Sequence, residues 1–380
     1  MDTQLINIGQ IVRPLRVEEG ASAPSLQVST SSELLIREGR IVSSQGSGTS
    51  KPDLVIDAKG GVVLPGLLDA HRFVSLPIDH SEAAGEPLEH PDDLQSRLLR
   101  TNQRVLERAL RTGITTVELK SSHGPVVQDS LAVVQQLRRH GAPRIIPTLH
   151  ASLPTDGTDR NASLASLIGR VIPMIRQKRQ ADFCEVRCCP ESYSVDEARM
   201  VLRAARGAGM KLKLELGAGA SKDAEELAYE LDVSALVRPS PTTSDWWQEH
   251  ALDSVIPILL PGLHDGRPID IQALRTLLDS GWLVGLGTGS GLPGAGTASM
   301  WATLGAAIAE LEMTLEEALI ACTLGNAAAL ELDDTLGTLN VGARADLCVL
   351  DVPDYRELLY GLGENPVRVV LFDGRVVHGQ

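Results

Sequence analysis

The sequence predicts an α/β protein: a (β/α)8 TIM-type barrel with a small β-sandwich domain built from both termini. Three observations carry this expectation. Short apolar runs alternate with amphipathic helical stretches through the middle of the chain; such alternation calls for a parallel sheet, and about eight units close it into a barrel. Strand and hairpin signals cluster at both ends instead. The length of 380 residues suits one barrel of roughly 200–250 residues plus one small domain.

In chain order, residues 1 to about 60 read as short strands and turns. Residues 34–42 (LLIREGRIV) are two strands around a tight Glu38-Gly39 turn. Residues 61–72 (GVVLPGLLDAHR) read as the first barrel strand. Six more buried strands follow at 113–120, 144–150, 182–188, 211–217, 254–262 and 282–289, with 233–239 as a weaker sixth in barrel order. Helical patterns at 130–141, 195–209 and 271–281 each end in a glycine placed as a helix stop. Further helices fall at 221–230 and within 298–332. The tail returns to strands at 343–353 and 367–379, the latter a hairpin at Asp373-Gly374. The domains expected are therefore 1–60 with 336–380, and 61–335. No repeat or long linker interrupts them, and residues 43–52 read as a surface loop.

Composition narrows the function classes. Apolar residues make up 43% and charged residues 22%, as in an ordinary globule. No apolar run reaches the roughly 18 residues of a membrane span. The net charge is 35 − 49 = −14, with no basic block, which argues against nucleic acid and anionic membranes as partners. Five cysteines (184, 188, 189, 322 and 348) without a framework spacing point to a reducing compartment. With no basic and apolar leader in MDTQLINIGQ, the location expected is cytoplasmic. Aromatics are only 3%, so a pocket of stacked rings is not expected.

VVLPGLLDAHR resembles the opening strand of the amidohydrolase superfamily, where PG-x-x-D-x-H-x-H leads into a metal site. The resemblance sharpens to the imidazolonepropionase family. It rests on TTVELKSSHG (115–124), on DFCEV followed by a helix and KLKLELG, on LLPG (259–262), and on the tail 335–377 with its Tyr-x-Glu-Leu-x-Tyr and Gly-x-Asn-Pro-Val elements. It runs nearly end to end. It implies the barrel and two-termini sandwich already read from the pattern. It also implies hydrolysis of a cyclic amide through one metal ion, held by the His-x-His pair, a His ending the fifth strand and an Asp ending the eighth. Residues i and i+2 of a strand face the same way, so both His of the pair would point into the barrel. The metal would lower the pKa of bound water, and the Asp would take its proton.

Most of that set is missing here. His71 keeps the first position, Phe73 stands at the second, Glu215 at the fifth-strand position, and the eighth-strand position falls near Gly289. No register shift repairs this. No His lies between His150 and His250, and no Asp, Glu, His or Cys lies from Trp282 to Ala309. The family's substrate-binding Arg and Tyr have no counterpart in residues 73–90, and its sixth-strand His falls near Val237, beside Arg238.

The remaining polar residues define the candidates. His71, His150, Glu215 and Lys120 are the candidate catalytic groups. Lys120, His123, Arg187 and Arg238 are the candidate ligand-binding groups, a cationic mouth suited to a small anionic ligand. Each has a blander reading: a hydrogen-bonded barrel-mouth His71, an interior Lys120–Glu118 pair, a solvated His123, and salt bridges from Arg187, Arg238 and Lys120 to Glu185 and Glu215. His71, His150, Glu215 and His264 are the set that would form a relocated metal site. Cys188-Cys189 read as small buried fillers, and residues 285–296 as a collapsed glycine-rich loop. The strand-end positions His71, Lys120, His150, Arg187 and Glu215 come from strands one to five, which predicts a lopsided mouth. The expectation is a non-hydrolytic pseudoenzyme, a binding or scaffold subunit with a degenerate metal site, no metal and no cofactor. Its partner would be a small anion, another protein or a second copy. The alternative is a hydrolase of non-peptide C–N bonds working without the family's metal or with a rearranged one.

Overall fold

The computed structural model describes residues 2–16, 23–43, 51–76, 91–122, 127–153, 159–238, 255–263, 270–292 and 298–379. At its centre eight parallel strands lie side by side in chain order. They are Leu67–Phe73, Ile114–Lys120, Arg144–Ala151, Phe183–Cys188, Lys211–Leu216, Ala235–Val237, Ile256–Leu259 and Gly285–Leu286. Every strand expected for the barrel is present. One boundary differs: Val62–Pro65, read as part of the first barrel strand, pairs instead with Leu347–Leu350 in a flanking sheet. The chain bends at Gly66 and enters the barrel at Leu67.

The strands are buried on both faces, as parallel barrel strands must be. Side-chain alternation sorts them. Val117, Leu119, Leu149, Cys184, Val186 and Leu214 join the core shared with the helices. Leu68, Ala70, Ile146, Phe183, Ala235, Val237, Ile256 and Ile258 cluster separately inside the barrel.

The helices between strands follow their sequence signals. Val127–Arg138, Val195–Gly207 and Ile271–Asp279 are followed by Gly141, Gly209 and Gly281, all at positive φ, where a side chain would be strained. Ser194 and Glu197 form a capping box at the start of Val195–Gly207. The 21-residue helix Pro91–Arg111 has no counterpart in the sequence reading. It packs against Val127–Arg138 and the second barrel strand.

The first and eighth strands meet along a stitched seam. Gly289 N donates to His71 O at 3.0 Å and Phe73 N to Ser290 O at 2.8 Å. Asn326 accepts from Leu286 N at 2.9 Å and donates to Leu68 O and Leu286 O at 2.6 and 2.7 Å.

Two sheets flank the barrel. Six strands run in the order Arg375–His378, Val367–Phe372, Leu347–Leu350, Val62–Pro65, Gln10–Leu15, Ser25–Ser29; four run Arg40–Ser43, Leu34–Arg37, Asp2–Ile6, Leu54–Asp57. The six-stranded sheet thus mixes strands from both ends of the chain. Leu5, Ile36 and Ile56 of one sheet share a core with Ile11, Val63, Val349 and Val369 of the other. Both expected hairpin turns, Glu38-Gly39 and Asp373-Gly374, have positive φ at both residues, as two-residue hairpins prefer.

Candidate functional site

Above the apolar floor of the barrel, strands one to five turn a set of polar side chains inward. Glu118 and Lys120 come from the second strand, Thr148 and His150 from the third, Glu185 from the fourth, Lys213 and Glu215 from the fifth. Each pair is separated by two residues and so shares a face. His71 joins them from the first strand. All are buried.

The ion pairs run across the barrel rather than between neighbours. The Lys120 ammonium reaches both oxygens of Glu185, 2.6 Å from Oε1. Its distance to Glu118 is 3.7 Å. The expected Lys120–Glu118 pair is therefore secondary, because Glu118 is engaged elsewhere. Its Oε2 lies 3.0 Å from Lys213 Nζ, and its Oε1 accepts from Thr148 Oγ1 at 2.7 Å. Lys213 Nζ also donates to Ala70 O at 3.3 Å.

The histidines lie above these pairs. His71 Nε2 is 3.9 Å from Glu185 Oε1, and neither ring nitrogen of His71 has a hydrogen-bond partner among the described residues. His150 Nε2 lies 3.8 Å from Glu215 Oε2 and 4.0 Å from Glu185 Oε1. Arg238 approaches Glu215 at 3.6 Å from the rim.

Phe73 occupies the second position of the D-x-H-x-H pattern. It is 2% exposed, its ring set edge-on to His71 (5.5 Å) and His150 (5.1 Å), with Lys120 Nζ 5.6 Å from its centroid. Strand eight makes room for its neighbour: a Cβ at Gly287 would lie 2.5 Å from that of His71. Thr288 is engaged with Asp69, which it meets through Oγ1 at 2.7 Å and N at 3.1 Å. Asp69 also binds Arg72 Nε at 2.8 Å, so it belongs to the seam.

Burial shapes the protonation states. Desolvation first, then the Lys120 charge, holds the His71 imidazole well below its usual value, so it is neutral at pH 7. Burial raises Glu185, with Lys120 opposing. Burial alone would raise Glu215 too, but His150, His71 and Lys120 hold it well below the usual carboxylate range. Burial lowers Lys213, with Glu118 opposing. Burial also pushes the Cys184 thiol up to about 12 and that of Cys188 to about 11, which suits inert fillers better than nucleophiles.

Of the candidates, the structure brings His71, Lys120, His150 and Glu215 into one cluster and sets Arg238 at its edge. Arg187, half-buried, makes no ion pair among the described residues; the partners expected for it are taken, Glu185 by Lys120 and Glu215 by His150 and Arg238. Lys120 is closed into its pair with Glu185, so the cationic mouth expected from Lys120 and Arg187 together is not assembled as such. His123 and His264 lie outside the described residues. Lys213 and Thr148 were missed. The alternation of K-L-K-L-E-L was the available signal, since it sets Lys213 on the same face as Glu215.

The sequence resemblance implies a metal here. His71, Glu185 and Glu215 each offer a ligand atom, all within 4.8 Å of one another. The family's own donor set does not fit: an apolar ring stands at the second His position, and Thr288 with its flanking glycines stands where the eighth-strand Asp would be. An ammonium already neutralises Glu185.

The amidohydrolase family profile (Amidohydro_3) matches residues 201–378. The chain is 26% identical to the imidazolonepropionase of Fusobacterium nucleatum subsp. nucleatum over 99% of this chain and 98% of that protein. It is 29% identical to the imidazolonepropionase of Deinococcus deserti, covering 97% and 98%. Among solved structures, an adenosine deaminase from Xanthomonas campestris with bound zinc superposes at a TM-score of 0.74 with 17% identity, covering 100% of this chain and 93% of that one. A Xaa-Pro dipeptidase gives 0.72, with 17% identity and full coverage of both chains.

Proposed function

We propose, for a chain that is imidazolonepropionase-like within the amidohydrolase superfamily, that it is a non-hydrolytic binding subunit. The observation that carries this reading is the seat of Phe73. A hydrolytic metal keeps one coordination position open for water. The Phe73 ring fills the space beside His71 and His150 where a ligand and that water would stand. The end of strand eight adds no base: Thr288 is committed to Asp69.

The ligand class we assign is a small anion on the Arg187 side of the mouth, since Arg187 is the candidate cation there without a carboxylate partner among the described residues. A cytoplasmic setting is part of the proposal and is supported by five free, buried cysteines. Among the described residues no helix is long and apolar enough to cross a membrane. The alternative, hydrolysis of a cyclic C–N bond at a rearranged site, is favoured by one observation, the proximity of His71, Glu185 and Glu215.

The test is to assay the purified chain on imidazolonepropionate and other cyclic amides, before and after chelation and with zinc, iron or manganese added. The expected result is no turnover above buffer and no stoichiometric metal by elemental analysis. Chelator-sensitive turnover would establish the alternative.

A further inference from the structure

We propose that the Lys120 ammonium is a covalently tethered substitute for a metal ion, and that removing it uncovers a divalent-cation site made by His71, Glu185 and Glu215. The idea deepens the non-hydrolytic reading and rests on it in one respect: that the unmodified centre holds an ammonium and no metal.

Three observations meet at one point. The three donors already stand within 4.8 Å of one another, without any ion to draw them in. His71 is fully buried, and both its ring nitrogens lack hydrogen-bond partners among the described residues. A buried imidazole in that condition is costly unless something else takes its lone pair. Finally, Lys120 Nζ sits on the carboxylate of Glu185, the oxygens a cation would otherwise take.

Charge counting gives the reason for mutual exclusion. Glu118 and Lys213 close on each other and drop out. Glu185 and Glu215 carry two negative charges, and His71 is neutral. Without Lys120, a dication balances the two carboxylates, and the rim guanidinium of Arg238, 3.6 Å from Glu215, adds the one further positive charge. With Lys120 present, the same dication leaves an excess positive charge in a fully buried site, which desolvation makes prohibitive. One imidazole nitrogen and two carboxylates are a donor set for zinc, manganese or ferrous iron. Neutral imidazole is the form that ligates.

The experiment uses the full chain after chelation, titrated calorimetrically with zinc chloride and manganese chloride, with melting temperature and circular dichroism alongside. Lys120→Met should bind zinc in a one-to-one ratio and melt at higher temperature with zinc than without it. The unmodified protein and Lys120→Arg should do neither. Adding Glu185→Gln to Lys120→Met should abolish the gain. If Lys120→Met does not fold alone, zinc should restore its circular dichroism, because the ion neutralises the same carboxylates. The proposal is overturned if folded Lys120→Met binds no zinc, if zinc fails to restore an unfolded one, or if the unmodified protein binds zinc as tightly. None of these readouts is turnover. Hydrolysis that survives chelation would break the preceding reading without deciding the Lys120→Met titration, whereas chelator-sensitive hydrolysis by the unmodified protein would overturn both.

Discussion

The two halves of the barrel interior are built from different materials. Strands two to five line it with Glu118, Lys120, Thr148, His150, Glu185, Lys213 and Glu215. Strands six to eight line it with Ala235, Val237, Ile256, Ile258 and glycine. The asymmetry expected at the mouth therefore extends down into the core. A buried charge persists only when a partner of opposite sign is in reach. Charges therefore concentrate in one half, where each can find its partner, and the other half packs as an ordinary apolar core. Any chemistry or binding that the interior supports belongs to the first half.

The strongest way to break this picture is to take one charge in the polar half from its nearest partner. Glu185→Ala leaves the buried Lys120 ammonium with only Glu118, 3.7 Å away and shared with Lys213, and the expected loss is about 3–5 kcal/mol in urea unfolding. A loss under about 1 kcal/mol would mean that the pair is not as buried as the geometry places it.

A smaller effect comes from proton uptake. His71 is held neutral in the folded chain, below its ordinary value of 6.5. The unfolded chain therefore binds the extra proton first as pH falls. His71 contributes a stability that is present above about pH 6.5 and lost below it, at up to about 1.4 kcal/mol per pH unit. Glu215, also depressed, adds a loss in the same direction below its ordinary value of 4.5, whereas the raised Glu185 acts in the opposite sense. Comparing the unmodified chain with His71→Asn isolates the first contribution: between pH 6.5 and 5 the unmodified chain should lose more stability. Equal slopes would show that His71 takes up its proton without unfolding.

The smallest effect belongs to the apolar half. Ile258→Val removes one buried methylene and should cost about 0.5–1.5 kcal/mol, with the same pH slope as the unmodified chain. A changed slope there would show that the two halves are electrostatically coupled.

Much of this architecture was legible beforehand. Strand positions followed from apolar runs, hairpins from Glu38-Gly39 and Asp373-Gly374, and helix ends from Gly141, Gly209 and Gly281. The face of each strand residue followed from alternation, which is why His71, Lys120, His150 and Glu215 were found together. What alternation cannot supply is the partner across the barrel. Lys120 and Glu118 are neighbours along one strand, yet Lys120 pairs with Glu185 two strands away, and Glu118 with Lys213 three strands away. Such pairings depend on barrel radius and strand stagger, which no local pattern records. The Pro91–Arg111 helix escaped for another reason. Its apolar positions are interrupted by five arginines and one glutamate, so its buried stripe is narrow.

Asn326 has a consequence beyond its hydrogen bonds. Its amide carries an acceptor and two donors, and it offers the edges of strands one and eight some of the bonding a further strand residue would supply. The circle is thus completed partly by a residue that lies off it, in the helix Asn326–Ala329. An unclosed sheet presents unpaired backbone groups that recruit strands from other molecules. Opening this seam would bare two strand edges of that kind, so keeping them covered depends in part on one side chain some forty positions beyond the last barrel strand.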